Sequence, residues 1–316
     1  MKEKLSIVIP CYCSEINISK VINDDIEVFR KDNIDNYEFI LVNDASPDNT
    51  WDKLKQLAQE NRHVTAVNLS RNFGQHGAIM AGFQYVSGDY IVVSDDDGQT
   101  PMESIREMLD LMDDGYDVIM TDRGEGEQHS LLRRFGTMIN DLSSRLFLDN
   151  KDNIPMSIFF MAKRFIIEEV KKYNNPYPYV SGLVFRATNN IGVVTVDQHK
   201  RQSGQSGYSM KKMLKLWING FTSFSSKPLR MSSYLGVLVA ILGLIYGLYI
   251  LIRKLIMNNI VVGWSSTAAL ILFMSGMILF VLGMIGEYVG RIYICINNAP
   301  QFVVREVLSE EREESL

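Results

Sequence analysis

Residues 92–103 read VVSDDDGQTPME, two valines running straight into Asp95, Asp96 and Asp97. Three adjacent carboxylates repel one another, and burying any of them without a partner costs several kcal/mol. An apolar run that ends this way reads as a strand leaving the core, its tip set where positive charge can meet it. The rest of the chain has to supply that charge.

Outward from this stretch, the first 125 or so residues alternate between short apolar runs and helical patterns. Strands are expected at residues 5–9, 38–42, 64–69, 90–93 and 117–120, with helices starting from Ser14, Asn49, Gln75 and Pro101. This order predicts an α/β fold, a mostly parallel sheet covered by helices on both faces. Ligands of such open sheets bind at the carboxyl ends of the strands. Polar groups stand at those ends: Pro10, Tyr12 and Glu15 after the first strand, Asn43 and Asp44 after the second, Arg71 and Asn72 after the third, and the three aspartates after the fourth. Each loop taken singly has an ordinary reading, with Asp48 or Asn49 as a helix cap, SRNFG as a turn and DDDG as a solvated acidic turn. Taken together on one rim they point to a site. No GxGxxG follows the first strand and no GxxxxGK[ST] occurs, so the phosphate loops of dinucleotide dehydrogenases and P-loop NTPases are missing. Carboxylates at a strand tip suit a different arrangement. Mg²⁺ or Mn²⁺ takes hard oxygen ligands and bridges one or two carboxylates to substrate phosphates. Asp95 and Asp97 can turn toward one ion, Gln99 can add its amide oxygen, and the ion would stabilise a departing nucleoside diphosphate.

Composition is consistent with this. The 316 residues are 47% hydrophobic and 22% charged, enough for a real core, and the net charge of -5 argues against a nucleic-acid partner. Three cysteines, Cys11, Cys13 and Cys295, form no CxxC pair, so neither a disulfide framework nor a zinc site is expected and a reducing compartment fits. The opening MKEKLSIVIPCY has too short an apolar run for a signal peptide and reads as the first strand. Residues 231–252 and 255–286 contain no charged side chain, and each is long enough to span a bilayer as a helix. Lys211, Lys212, Lys215, Lys227 and Arg230 precede the first and Arg291 follows the second, against Arg253 and Lys254 between them. The excess predicts both ends in the cytoplasm and the connection at 257–263 outside; the expected location is the cell's inner membrane. SMKKMLKLWINGFTSFS at 209–225 reads either as an interfacial helix or as a helix packed on the soluble domain, and REVLSEEREESL at the end as a solvated acidic tail.

VIPCYCSEINI, FILVNDASPDNT, LSRNFGQHGAIMAGF and SDDDGQTPME, in this order, resemble the successive blocks of family 2 glycosyltransferases of the Rossmann-like GT-A fold. HKRQSGQSGYSMKKMLKLWINGFTSFSSKPLR, followed by two apolar spans, is similar to the bacterial undecaprenyl-phosphate members of the polyprenyl-phosphate branch, which also includes dolichol-phosphate mannose synthase. The resemblance covers nearly the whole chain. It implies a GT-A domain over 1–208, an interfacial segment over 209–230, a transmembrane hairpin over 231–290 and a tail over 291–316, with PQFVVRE as a strand pairing across protomers of a homo-oligomer, a tetramer being one form.

The resemblance also implies roles. Asp95, Asp97 and Gln99 become metal ligands; Asp96 holds the ribose or stays solvated; Pro10, Tyr12, Glu15, Asp44 and Arg71 surround the nucleotide. Asn43 replaces the first of a usual aspartate pair, which leaves the base open, with a UDP-sugar expected ahead of a GDP-sugar. Arg201, Ser206 and Tyr208 match groups near the donor phosphates, and His199 reads as structural. In TDRGEGEQHSLLRRFGT, Arg123, Arg133, Arg134 and Thr137 match a grip on a lipid phosphate, for which the planar fork of arginine is suited, with Arg133 preferred over Arg134. Where family members carry an acidic residue after this block, the chain reads MSIFFMAKR, without aspartate or glutamate from 154 to 164. An alcohol acceptor needs a base there; a phosphate acceptor, already ionised, does not. The expected function is metal-dependent, inverting transfer of a sugar from a nucleotide to polyprenyl phosphate. The alternatives are a membrane-tethered sugar-nucleotide-binding protein without turnover and a polysaccharide synthase, the latter lacking its QxxRW block and further spans.

Overall fold

The computed structural model describes residues 3–122, 154–197, 227–256, 263–297 and 299–309. It divides into two compact units, Met1–Leu216 with Asn298–Leu316, and Trp217–Asn297.

The first unit is built on one sheet. Strands β1 (Leu5–Cys11), β2 (Tyr37–Asn43), β3 (Val64–Leu69) and β4 (Tyr90–Val93) lie parallel and adjacent, as their apolar runs predict. All seven residues of β1 are buried, which marks a central strand covered on both faces. Helices α1 (Ile18–Lys31), α2 (Thr50–Glu60) and α4 (Ile105–Asp113) place Ile22, Phe29, Leu54, Met108 and Met112 in one core with Leu5, Ile7 and Ile9 of β1. Val8, whose side chain alternates to the opposite face, meets α3 (Gln75–Gly82) there. A Cβ on Gly82 would lie 2.5 Å from Val8 Cγ1 and 3.1 Å from Val42 Cγ2, so only glycine lets α3 settle this closely on β1 and β2.

Three features differ from the sequence reading. The helix expected from Ser14 begins at Ile18, because Ser14 and Glu15 are engaged in the preceding loop; the one expected from Pro101 opens with a 3₁₀ turn, Met102–Ser104. Phe160–Lys163 forms β6, antiparallel between β4 and β5 (Val118–Asp122), so these two are not neighbours. Beyond it come α5 (Arg164–Lys171), α6 (Val180–Ala187) and the edge strand β7 (Ile191–Thr195), parallel to β5. Finally Val304–Leu308 is a strand, β8, as PQFVVRE suggests, and it pairs antiparallel with β3 of its own chain at the edge of the sheet, a partner the sequence reading does not name. The sheet order among the described residues is therefore β7-β5-β6-β4-β1-β2-β3-β8.

Among the described residues the second unit contains α7 (Lys227–Ile256) and α8 (Trp264–Ile296). Apolar side chains that would be buried in a soluble core stand open: Val237, Leu248, Ile271 and Leu279 are each more than half exposed. Within α8, Phe273–Ile296 has a mean hydropathy of 1.6 and is long and apolar enough to cross a membrane. The apolar stretch of α7, Gly236–Tyr249, is shorter, interrupted by glycines and tyrosines and followed by Arg253 and Lys254. Among the described residues one helix, not two, meets the length and composition of a span.

Candidate active site

Because β4, β1, β2 and β3 are parallel neighbours, the loops at their carboxyl ends emerge side by side. Hydrogen bonds join them into a closed ring. From the β1 loop, the Cys13 N–H donates to Ser46 Oγ at 3.1 Å and the Ser14 N–H to Thr50 Oγ1 at 2.9 Å, while Asn49 Nδ2 donates back to Glu15 at 3.0 Å. From β2, both oxygens of Asp44 accept main-chain N–H groups of the β3 loop, Phe73 at 2.7 Å and Gly74 at 2.8 Å. At the start of α3, Gln75 Nε2 donates to Asp95 Oδ1 at 3.0 Å. Asp96 closes the ring by accepting the Tyr12 N–H at 3.0 Å and the Ser14 hydroxyl.

The ring holds unusual backbone. Cys13 (φ 57°) and Ala45 (φ 51°) adopt left-handed conformations, which cost a side-chain-bearing residue of order 1–3 kcal/mol and persist only where their surroundings fix them. Gly98 (φ 72°) turns the acidic loop back so that Asp97 Oδ1 accepts the Gln99 N–H at 3.0 Å.

Burial sets the electrostatics. It pushes Asp44 up to about 6, against the pull of its two N–H bonds, and raises Asp96 against its bonds from Ser14 and Tyr12. Burial also raises the Cys11 and Cys13 thiols, so neither is a ready nucleophile, and lowers His76, packed edge-on against Tyr179, to about 4.

The expected residues are thus distributed unequally. Asp44, Asp95, Asp96, Asp97, Gln99, Glu15 and the half-exposed Tyr12 share the rim, with Arg71 over the Phe73 ring at 4.7 Å. Pro10 is buried inside β1 opposite Val42. Arg123, Arg133, Arg134, Thr137, His199, Arg201, Ser206 and Tyr208 lie outside the described residues.

Sequence reasoning overlooked Gln75, taken only as the start of a helix, although it follows the third strand and the same carboxyl-end rule applies to it. It also overlooked a small cleft of about 10 Å³, room for about one water, beside Asp95, lined in part by Thr100, Thr121, Ser157 and Phe159. Thr121 Oγ1 donates to the Phe159 carbonyl at 2.7 Å and lies 3.0 Å from Ser157 Oγ, so β5 and the approach to β6 fix that wall. No local pattern announces a site made by an inserted antiparallel strand.

Among the described residues, no three acidic, histidine or cysteine side chains converge as a metal cage. Asp95 and Asp97 flank an Asp96 that is turned inward. That pair fits a hard cation arriving with a diphosphate, whose oxygens complete the shell, better than a resident ion.

The sequence model of glycosyl transferase family 2 matches residues 6–171, the segment that carries this ring. The chain is a family 2 glycosyltransferase. A second model, the GtrB C-terminal hairpin, matches residues 227–292. The uncharacterized glycosyltransferase YkcC of Bacillus subtilis (strain 168) is 35% identical over 302 residues, covering 95% of this chain and 93% of its own. The undecaprenyl-phosphate 4-deoxy-4-formamido-L-arabinose transferase of Yersinia pestis (strain Pestoides F) is 33% identical, over 99% of this chain and 96% of its own. The SfII prophage-derived bactoprenol glucosyl transferase of Shigella flexneri is 29% identical, over 96% and 98% respectively. Among solved structures, the family 2 chain resembles glucosyl-3-phosphoglycerate synthase from Mycobacterium tuberculosis, crystallised with Mn²⁺, UDP and glucosyl-3-phosphoglycerate. The TM-score is 0.51 at 14% identity, covering 71% of this chain and 80% of that one, a likeness of fold alone. The sheet of this glycosyltransferase is GT-A-like, its central strands parallel.

Proposed function

We propose that this glycosyltransferase moves one sugar, with inversion, from a nucleotide-sugar to polyprenyl phosphate at the cytoplasmic face of the inner membrane. The arrangement that carries the reading is the strand tip where Asp95 and Asp97 stand at the rim while Asp96 ties the acidic loop to the β1 loop. Relatives of nearly equal length named for bactoprenol and undecaprenyl phosphate support the acceptor. The apolar, open surfaces of α7 and α8 support a membrane hairpin of two spans, the second being Phe273–Ile296.

Asp95 and Asp97 would hold Mg²⁺ or Mn²⁺, with Gln99 beside them; when bound, the ion supplies Lewis-acid stabilisation of charge on the diphosphate. Tyr12 would offer its half-exposed ring to the base, UDP being expected ahead of GDP, and Glu15, Asp44 and Arg71 would border the donor pocket, to which the family resemblance adds Arg201 and Ser206. Arg123, Arg133, Arg134 and Thr137 would grip the lipid phosphate. A phosphate oxygen of the acceptor forms the new bond to the anomeric carbon as the bond to the diphosphate oxygen breaks. The acceptor is already ionised near neutral pH, so no proton has to be removed, consistent with Ser157 and its neighbours carrying no carboxylate. Confining the acceptor to the membrane plane beside the donor supplies orientation. Assembly as a homo-oligomer, a tetramer being one form, belongs to the same reading.

Purified protein in detergent, given Mn²⁺, UDP- or GDP-sugars and undecaprenyl phosphate, is expected to release nucleoside diphosphate and form a glycolipid of inverted anomeric configuration. Chelation should stop both. Nucleotide-sugar binding without turnover, or donor hydrolysis with no glycolipid, would overturn the reading.

A further inference from the structure

The chain that follows α8 reaches the ring from outside. Strand β8 pairs with β3 through Ala66 with Leu308, Val67 with Val307 and Asn68 with Glu306. The register then shifts between Asn68 and Leu69, so that Leu69 faces Val304. The Ser70 N–H continues the contact, donating to the Val303 carbonyl at 2.9 Å. The next residues are those that matter at the rim: Arg71 over Phe73, then Phe73 and Gly74 on Asp44. Two residues before Val303, Gln301 is bolted down by its own side chain. Its amide Nε2 donates to the carbonyls of Tyr173 at 3.1 Å and Asn175 at 3.0 Å, in the connection between α5 and α6. Its main-chain carbonyl abuts the first turn of α3, where a Cβ built on Gly77 would lie 3.4 Å from it and 2.9 Å from Phe73 Cβ. The Gly77 turn follows directly on Gln75, which holds Asp95.

We infer that Gln301 is a positioning residue of the donor site: by clamping the segment after α8, it fixes the β3 loop and the first turn of α3, and through them the placement of Asp44 and Asp95. The physical argument is one of constraint. A loop with a left-handed glycine at residue 74 and main-chain N–H groups aimed at a carboxylate has to be held on both flanks. Asp44 holds one flank; the strand that begins beyond Gln301 holds the other. Both N–H bonds of one amide nitrogen end on main-chain carbonyls, an arrangement that a carboxylate in the same volume cannot reproduce, since it has no proton to donate.

This inference rests on the proposed donor site, and the experiment separates the two. In the full chain in detergent, binding of UDP and of GDP with Mn²⁺ is measured by calorimetry, alongside hydrogen exchange of a peptide covering residues 70–76. Gln301→Glu is expected to weaken nucleotide binding roughly tenfold and to raise exchange of the 70–76 amides by at least as much. In turnover it should raise the donor KM while the acceptor KM stays within about twofold. Gln301→Met, which keeps the length of the side chain but likewise has no proton to donate to the Tyr173 and Asn175 carbonyls, should move the same quantities in the same direction and decides the matter if Gln301→Glu does not fold. If wild-type protein binds neither nucleotide, the donor-site reading falls. If it binds one, and the folded variants bind equally well with unchanged exchange, Gln301 has no positioning role. A lowered thermal midpoint alone, with donor KM intact, likewise rules that role out.

Discussion

The Oδ2 of Asp96 accepts the Ser14 hydroxyl, and the Tyr12 N–H at 3.0 Å, so the middle aspartate of the acidic run is tied to the β1 loop. Hydrogen bonds to charged acceptors contribute about 1.5–3 kcal/mol each. Asp96→Ala and Ser14→Ala should therefore each weaken UDP–Mn²⁺ binding, by roughly tenfold. Their effects should be non-additive, with an interaction of about 0.5–3 kcal/mol, because either change opens the same link between loops. A double-mutant cycle by calorimetry checks this; strict additivity would mean that the two side chains act separately.

Asp95 and Asp97 should behave differently from Asp96. Replacing either with Asn removes an anionic oxygen from the strand tip while keeping its shape. Turnover should drop by a factor of about 10² or more, corresponding to roughly 3 kcal/mol of lost transition-state stabilisation. The Mn²⁺ concentration for half-maximal rate should rise. Rates titrated against Mn²⁺ provide the measurement, and an Asp97→Asn enzyme within a few-fold of wild type would remove that residue from the site.

Gly82 is required by packing. A methyl there would come within 2.5 Å of Val8 Cγ1, and overpacking of this kind costs typically 1–3 kcal/mol. Gly82→Ala is expected to lower the thermal midpoint and, by shifting α3, to loosen Gln75 from Asp95. Adding Val8→Ala should recover part of the stability. Failure of that second change to help would place the strain elsewhere.

Asp25, on α1, is buried with Oδ2 lacking a partner among the described residues. Burial first, and then Asp24 and Glu103, raise its carboxyl well above the ordinary value of 3.8. The folded chain thus keeps a proton that the unfolded chain releases. Its contribution to stability is complete below the unfolded value and is lost as pH rises through the folded one. Asp25→Asn, neutral throughout, should melt a few degrees higher than wild type at pH 8, with the gap closing toward pH 4.

Glu38 predicts the opposite trend. Burial would raise it, but bonds from Lys4, Ser6 and the Ser87 N–H outweigh burial and lower it. Here stability is present above the unfolded value of 4.5 and lost as pH falls through the depressed one. Glu38→Gln should cost about 1–3 kcal/mol at pH 7 and progressively less in acid, as followed by thermal melts across pH.

Much of this protein is legible along the chain. The five apolar runs with intervening helical patterns are local signals of period two and period three to four, and they define the strands from β1 to β5 within a residue or two. The same signals put polar residues at the strand ends, which located the rim, and the uncharged stretches marked α7 and α8. The acidic tip at Asp95, Asp96 and Asp97 needed only charge repulsion to stand out.

What the chain order could not convey is which of these residues face one another. Phe160–Lys163 reads as a modest apolar run and became β6 only because β4 and β5 leave an antiparallel gap for it; that insertion makes the Thr121 and Ser157 cleft. Asp96 turns inward and Asp95 takes Gln75 through contacts 20 to 84 residues apart in sequence. The strand at Val304–Leu308 found its partner in β3 of the same chain, across more than two hundred residues. Local pattern determines elements because it depends on backbone geometry repeated over a few residues. Contacts between loops depend on where the folded sheet delivers their ends, and that is settled only when the core has packed.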